Sequence, residues 1–150
     1  MMRIVKWFVL FGIAGAFAGF FLVARVPIRD TVVYGATFTP FQADNLGLDP
    51  KAVYAAILDD LGIRKIRIGA YWNRIEKTHG QFDFSELDWQ VAEAQKRGAD
   101  IILAIGQKLP RWPECHIPEW AAKLSSSEYQ AKLLQYIEVV INRYKSSPAV

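Results

Sequence analysis

Three apolar runs, Val32 to Phe38, Lys65 to Trp72 and Asp100 to Gly106, are each followed by a segment with helical apolar spacing. The third, DIILAIG, is almost unbroken in its apolar character, as expected of a strand buried on both faces in a parallel sheet flanked by helices. After the first run, Asp49 stands as N-cap before Pro50, Val53, Ile57 and Leu61 recur at helical spacing, and Gly62 supplies the stop. A second helix is predicted to open at Ser85 with Asp88 in the capping position, to turn Leu87, Val91 and Ala94 inward, and to stop at Gly98. A third is predicted to start near Ser127, with Gln130 completing the capping pattern, and to bury Tyr129, Leu133, Ile137, Val140 and Tyr144. Pro148 ends that turn, and Ala149 and Val150 read as the start of a fourth strand.

Strands alternating with single helices predict parallel βα units with right-handed crossovers. Such units close either as an open doubly wound sheet or as a barrel. The dinucleotide-binding open sheet wants G-x-G-x-x-G after its first strand, and GATFTPFQADNLG does not supply it. The loops after the strands carry the aromatics and charges, whereas those before the strands, GIRK, GA and SSP, are short and plain. That asymmetry belongs to a barrel with its site at one face. A barrel of this kind takes about 250 residues, and the chain has 150. The expected fold class is therefore α/β: the N-terminal portion of a (β/α)8 TIM barrel, about three βα units and the start of a fourth strand, over residues 32–150.

The segment ahead of the barrel has a different character. From Trp7 to Ala24 the chain carries no charge, a length of about 27 Å as a helix, close to the hydrocarbon thickness of a bilayer. Residues 1–25 are expected to be a transmembrane anchor or a signal segment, with membrane contact through residues 7–24, and residues 26–31 a tether. The barrel is then extracytoplasmic and membrane-anchored, or secreted if the segment is cleaved. The net charge of +3 resides in this segment, where Arg3, Lys6, Arg25 and Arg29 face Asp30 alone; beyond it basic and acidic residues balance. No basic stripe remains for a nucleic-acid partner. Cys115 is the only cysteine, so no disulfide forms within the chain.

Two stretches are dense in chemistry-bearing residues. In KIRIG, alternation along a strand sets Ile66 and Ile68 on one face and Lys65, Arg67 and Gly69 on the other. With the isoleucines under the helices, Arg67 points into the barrel, where a guanidinium calls for a carboxylate partner; the alternative is that it reaches solvent from the strand end. The second stretch is GQKLPRWPECHIPEW, Gly106 to Trp120. Cys115 and His116 are adjacent and have no second ligand pair, and His79 stands alone, so neither a metal nor a cofactor is expected. A Cys115 nucleophile lacks an oriented base. What remains is a proline-braced loop displaying Trp112 and Trp120 beside Gln107, Lys108, Arg111, Glu114 and Glu119. Flat aromatic faces beside polar groups suit a sugar ring; tryptophans that merely plug the barrel mouth are the structural alternative. Glu76 holds its loop or touches ligand, structure being its expected use.

The segment from Leu61 to Trp112 resembles the second and third βα units of the clan of retaining glycoside hydrolases with TIM-barrel folds, which includes cellulases, β-galactosidases and β-xylosidases. The resemblance is carried by R-x-x-x-x-W-x-x-I-E from Arg67, by G-x-F-D-F-S-x-L-D from Gly80, and by the apolar strand leading to Pro110-Arg111-Trp112. It implies that Arg67 matches the clan's strand-two arginine and that Trp72 and Trp112 match aromatics at the site mouth. Where some families of the clan place a histidine after strand three, this chain has Gly106 and Gln107. The resemblance further implies hydrolysis of glycosidic bonds in oligo- or polysaccharides by two carboxylates, placed after strands four and seven and thus beyond residue 150. No catalytic residue is expected within these 150, and alone they are expected to be inactive. Glu76, Glu114 and Glu119 match neither catalytic position. Arg67, Trp72, Gln107, Arg111 and Trp112 are the expected lining of a carbohydrate site. Two alternatives stay open at this point: a catalytically inactive glycan-binding barrel, and a membrane-tethered interaction scaffold.

Overall fold

Parallel pairing of three strands organises the protein. The computed structural model describes residues 12–19, 31–111 and 113–150. Residues 12–19 are helical and belong to a unit separate from residues 33–150; the expected anchor and tether otherwise lie outside the described residues. No described helix is long and apolar enough to cross a membrane. Residues 33–150 carry, in order, β1 (Ala36–Thr37), α1 (Pro40–Asn45), α2 (Pro50–Asp59), β2 (Lys65–Tyr71), a short α3 (Trp72–Ile75), α4 (Ser85–Lys96), β3 (Asp100–Gly106), a 3-10 turn (Ala121–Lys123) and α5 (Ser126–Tyr144). The strand order is β1-β2-β3, all parallel, with Thr37 opposite Arg67 and Arg67 opposite Ile102.

One face of this sheet is the core. Ile66, Ile68 and Ala70 of β2 are buried and lie beside Ile101, Leu103 and Ile105 of β3. Against them pack Tyr54 and Leu58 of α2, Leu87, Val91 and Ala94 of α4, and Tyr136, Val140 and Tyr144 of α5. Two buried tyrosines fasten the layers: Tyr136 donates its hydroxyl to the Ala70 carbonyl at 2.8 Å and Tyr54 to the Gln90 carbonyl at 3.0 Å. Burial pushes both phenols well above their ordinary range, so they stay protonated donors. The other face is the barrel side, and among the described residues it is open: Arg67 is exposed and Ile102 is 67% exposed. Burial of β3 on both faces was expected; only its helix-facing side is covered here.

Several boundaries depart from the sequence reading for local reasons. The first strand, expected over Val32 to Phe38, pairs only at Ala36–Thr37, extended by the Phe38 N–H donating to the Arg67 carbonyl. Gly35 is needed where it stands, because a Cβ there would lie 2.8 Å from the Lys65 carbonyl oxygen. Asp49 caps α2 as expected, accepting from the Lys51 N–H. That helix ends at Asp59, which leaves Leu61 70% exposed past its last turn, and the deepest residues are Tyr54 and Leu58 rather than Val53 and Ile57. Ser85 is the first residue of α4 and not its cap. Its N–H is taken by the Asp83 carboxylate, while Asp88 turns to Arg143 and to the Tyr144 hydroxyl at 2.7 Å. α5 starts earlier than expected, with Ser125 and Glu128 forming the capping box. Glu128 carries a full negative charge into the first turn, which Gln130 does not. Beyond α5 the Ile101 N–H donates to the Ala149 carbonyl at 2.6 Å, a first rung on the free side of β3 where a fourth strand was expected.

Candidate functional site

The carboxyl ends of β1, β2 and β3 and the segments that follow them converge at one end of the sheet. Arg67 emerges on the barrel side of β2 and its Nε donates to the Thr37 hydroxyl of β1 at 3.2 Å. Four residues on, the same alternation brings out Tyr71, whose ring lies across Gly69: a Cβ on Gly69 would sit 2.8 Å from the ring and 3.1 Å from Leu109. Glycine at 69 is what lets Tyr71 and the loop after β3 lie flat on the barrel face.

That loop is held by its own backbone. Leu109 N–H donates to the Glu114 carbonyl and His116 N–H to the Gln107 carbonyl, Lys108 pairs across with Cys115 and reaches Glu114 at 3.2 Å. The Asn73 N–H donating to the His116 carbonyl ties the loop to α3. At the centre, His116 is 3% exposed, stacked on Phe41 of α1 at 5.0 Å and edge-on to Tyr71 at 4.6 Å. Arg74 covers Phe41 at 4.5 Å and is neutralised by Asp44 at 3.4 Å and Glu86 at 3.2 Å. Burial raises the Glu86 carboxyl above its usual range, and Arg74 opposes that shift. The segments after three successive strands are thus joined by one cluster: Phe41 after β1, Tyr71 at the end of β2 with Arg74 just beyond it, and His116 after β3.

The cluster has a pH consequence. Burial holds the His116 imidazole below its ordinary range; a backbone contact at Pro113 acts the other way and the Arg74 charge adds to the lowering. A depressed folded-state value means that the unfolded chain takes up a proton first as pH falls below about 6.5. The stability is therefore present above that pH and is lost as pH falls toward the folded-state value. Urea midpoints measured at about pH 7.5 and about pH 5 should show this loss, and His116→Phe, which keeps the stacking, should remove most of it. An unchanged acid limb in that variant would show that His116 is not the group responsible.

The residues expected to line a site do not stay together. Arg67 is at the barrel face, but its partner is a hydroxyl, and among the described residues no carboxylate pairs with it. Arg111 reaches the same end: it is exposed, its φ is +84°, and it borders a cleft with Thr37, Thr39 and Gln42. Gln107 is engaged from the helix layer, its amide oxygen accepting from the Tyr129 hydroxyl of α5. Trp72 is fully buried, stacked on Tyr136 at 5.4 Å, and its indole N–H donates to Glu76 at 2.7 Å. In this structure it is a core residue with no face at the mouth. Trp112 lies outside the described residues. Trp120 donates to the Glu76 carbonyl at 2.9 Å and carries His79 on its face at 4.3 Å. Glu76 holds its loop, taking the Trp72 indole and the Gly80 N–H. Cys115 is free and exposed, and among the described residues no group of His, Cys, Asp and Glu is arranged to hold a metal ion.

Thr37, Phe41 and Tyr71 were not singled out from the sequence, and His116 was weighed there only as a metal ligand. Tyr71 was within reach, since it shares the parity of Arg67 along β2. Phe41 and His116 had no local signal, because their partners are 30 residues away or more.

A family model described as β-galactosidase, of glycoside hydrolase family 42, matches residues 38–150. No curated protein sequence matches the chain. Among solved structures, a catalytic mutant of Gan42B, a GH42 β-galactosidase from G. stearothermophilus, is 21% identical with a TM-score of 0.57 over 81% of this chain and 20% of its own length. The β-galactosidase from the psychrophilic Marinomonas ef1 is 20% identical with a TM-score of 0.53 over 77% of this chain and 20% of its own. The exo-β-1,4-mannosidase Op5Man5 from Opitutaceae bacterium strain TAV5 is 16% identical with a TM-score of 0.51 over 75% of this chain and 22% of its own. At these identities the likeness is one of fold: three parallel strands with their helices correspond to part of a TIM barrel. The chain spans about a fifth of the length of the structures it matches.

Proposed function

Because the chain belongs to the β-galactosidase family of glycoside hydrolases, family 42, we propose that residues 38–150 form the first βα units of a barrel that hydrolyses O-glycosidic bonds, with a terminal β-galactoside as its substrate. The family match across these residues carries the reading. The geometry supports it, since the open barrel side displays Arg67 of β2 hydrogen-bonded to Thr37 at the carboxyl end of β1, and TIM-barrel enzymes build their sites at the carboxyl ends of their strands. In a retaining mechanism one carboxyl protonates the leaving oxygen and another attacks the anomeric carbon, the two about 5 Å apart. Both belong to strands outside these 150 residues. The contribution of this part is a cationic, hydrogen-bonding wall. Arg67, held by Thr37, is oriented toward a carboxylate or a sugar hydroxyl on the far side of the barrel, and Arg111 extends that wall from the loop after β3.

The test is turnover of p-nitrophenyl β-D-galactoside by a complete barrel containing these residues, beside the β-D-mannoside as a control. Arg67→Ala is expected to lower kcat/KM by about tenfold, with partial recovery in Arg67→Lys, and residues 1–150 alone are expected to turn over neither substrate. Hydrolysis indifferent to Arg67, or no hydrolysis of any aryl β-glycoside by the complete barrel, would overturn the proposal.

A further inference from the structure

Away from the barrel side, the first turns of α2 and α4 lie next to each other and enclose a trough of about 350 Å³ lined by Asp49, Pro50, Lys51, Glu86, Trp89 and Gln90. That size falls within the range of small-molecule sites. Trp89 is half-buried, with its inner side on Tyr54 at a centroid distance of 5.6 Å, and exposed Lys51 passes over its ring at 5.4 Å. Gln90 supplies an independent sign. It is 4% exposed, its backbone carbonyl is used by Tyr54, and its side-chain amide makes no hydrogen bond among the described residues although it borders this trough and the adjoining cleft toward Arg74. Through these two openings the amide keeps contact with solvent, so its donors and its acceptor are available to an occupant that hydrogen-bonds.

We propose that this trough is a second sugar-binding site, taking one neutral pyranose ring with its C–H face on Trp89 and its hydroxyls on Gln90, Asp49 and Glu86. The lining selects the ligand class. Asp49 and Glu86 are balanced by Lys51 and by Arg74, which meets Glu86 at 3.2 Å, so no excess cation is left to hold a phosphate, while an aromatic face rimmed by carboxylate and amide groups matches a ring with apolar C–H patches and hydroxyl edges. Helices that follow strands begin at the strands' carboxyl end, so the trough sits at the same end of the sheet as Tyr71, on the outer rim. A ring bound there belongs to a glycan chain that extends past the barrel mouth. The choice of a sugar rests on the glycoside hydrolase reading; the unpartnered amide and the trough do not.

The experiment titrates residues 1–150 with methyl β-D-galactopyranoside while following the Trp89 indole N–H resonance by NMR, assigned with Trp89→Phe. A saturable shift is expected in the wild type and in Arg67→Ala alike. Gln90→Leu removes no hydrogen bond from the fold, so it should leave the urea midpoint unchanged or raised while weakening sugar binding about tenfold. No shift of the Trp89 resonance, or binding unaffected by Gln90→Leu, would overturn the trough site. Failure of the hydrolase reading looks different: the complete barrel turns over no aryl glycoside, whatever the Trp89 resonance does.

Discussion

Trp72→Ala is expected to lower the unfolding free energy of residues 33–150 by about 3–5 kcal/mol, a large part of the roughly 5–15 kcal/mol that holds a domain folded. Trp72 has no exposed surface, and its ring is packed among Tyr136, Tyr129 and Trp120 at centroid distances of 5.4–5.7 Å. Removing it leaves a cavity at the junction of α3, α5 and the 3-10 turn, and it also removes a donor from the buried Glu76 carboxylate. Trp72→Phe keeps an aromatic in place and loses the N–H alone, so its cost should be about 1–3 kcal/mol. Urea denaturation followed by far-ultraviolet circular dichroism measures both. A loss of under about 1 kcal/mol for the alanine variant would mean that Trp72 is not the packing centre described here.

Glu76→Leu is the second severe case, expected to cost about 2–4 kcal/mol. The carboxylate is 3% exposed, and its two oxygens serve different partners, the Trp72 indole N–H at 2.7 Å and the Gly80 N–H at 2.8 Å. Leucine fills similar space and strands both donors, one of them in the turn where Gly80 has a φ of +79°. Glu76→Gln retains one acceptor oxygen and should recover about half of the loss. The local readout is proteolysis between residues 77 and 82, which should quicken in the leucine variant well before global unfolding. Equal stability of Glu76→Leu and wild type would remove the loop-holding role.

Much of this was legible from residue order. The run DIILAIG became β3 with the expected bounds, the alternation in KIRIG set Arg67 on the side opposite Ile66 and Ile68, and Asp49 with Pro50 opened a helix as those residue types do. Errors occurred where neighbours in space compete for a side chain. Asp88 was read as a cap, yet Arg143 and Tyr144, more than 50 residues on, claim its carboxylate. Arg143 holds that carboxyl well below its usual range. Trp72 was expected at the site mouth from the resemblance to the glycoside hydrolase clan, but the chain turns into α3 at that residue, and the turn sends the indole under α5.

Periodicity and capping chemistry act over a few residues, so composition along the chain was enough to specify parallel βα units, their order, and a cation on the barrel side of β2. The grouping of Phe41, Tyr71, Arg74 and His116, the burial of Trp72 and Glu76, and the trough at Trp89 depend on which loops meet once the strands align. Those meetings are settled by packing between residues far apart in sequence, where no local pattern records the partner.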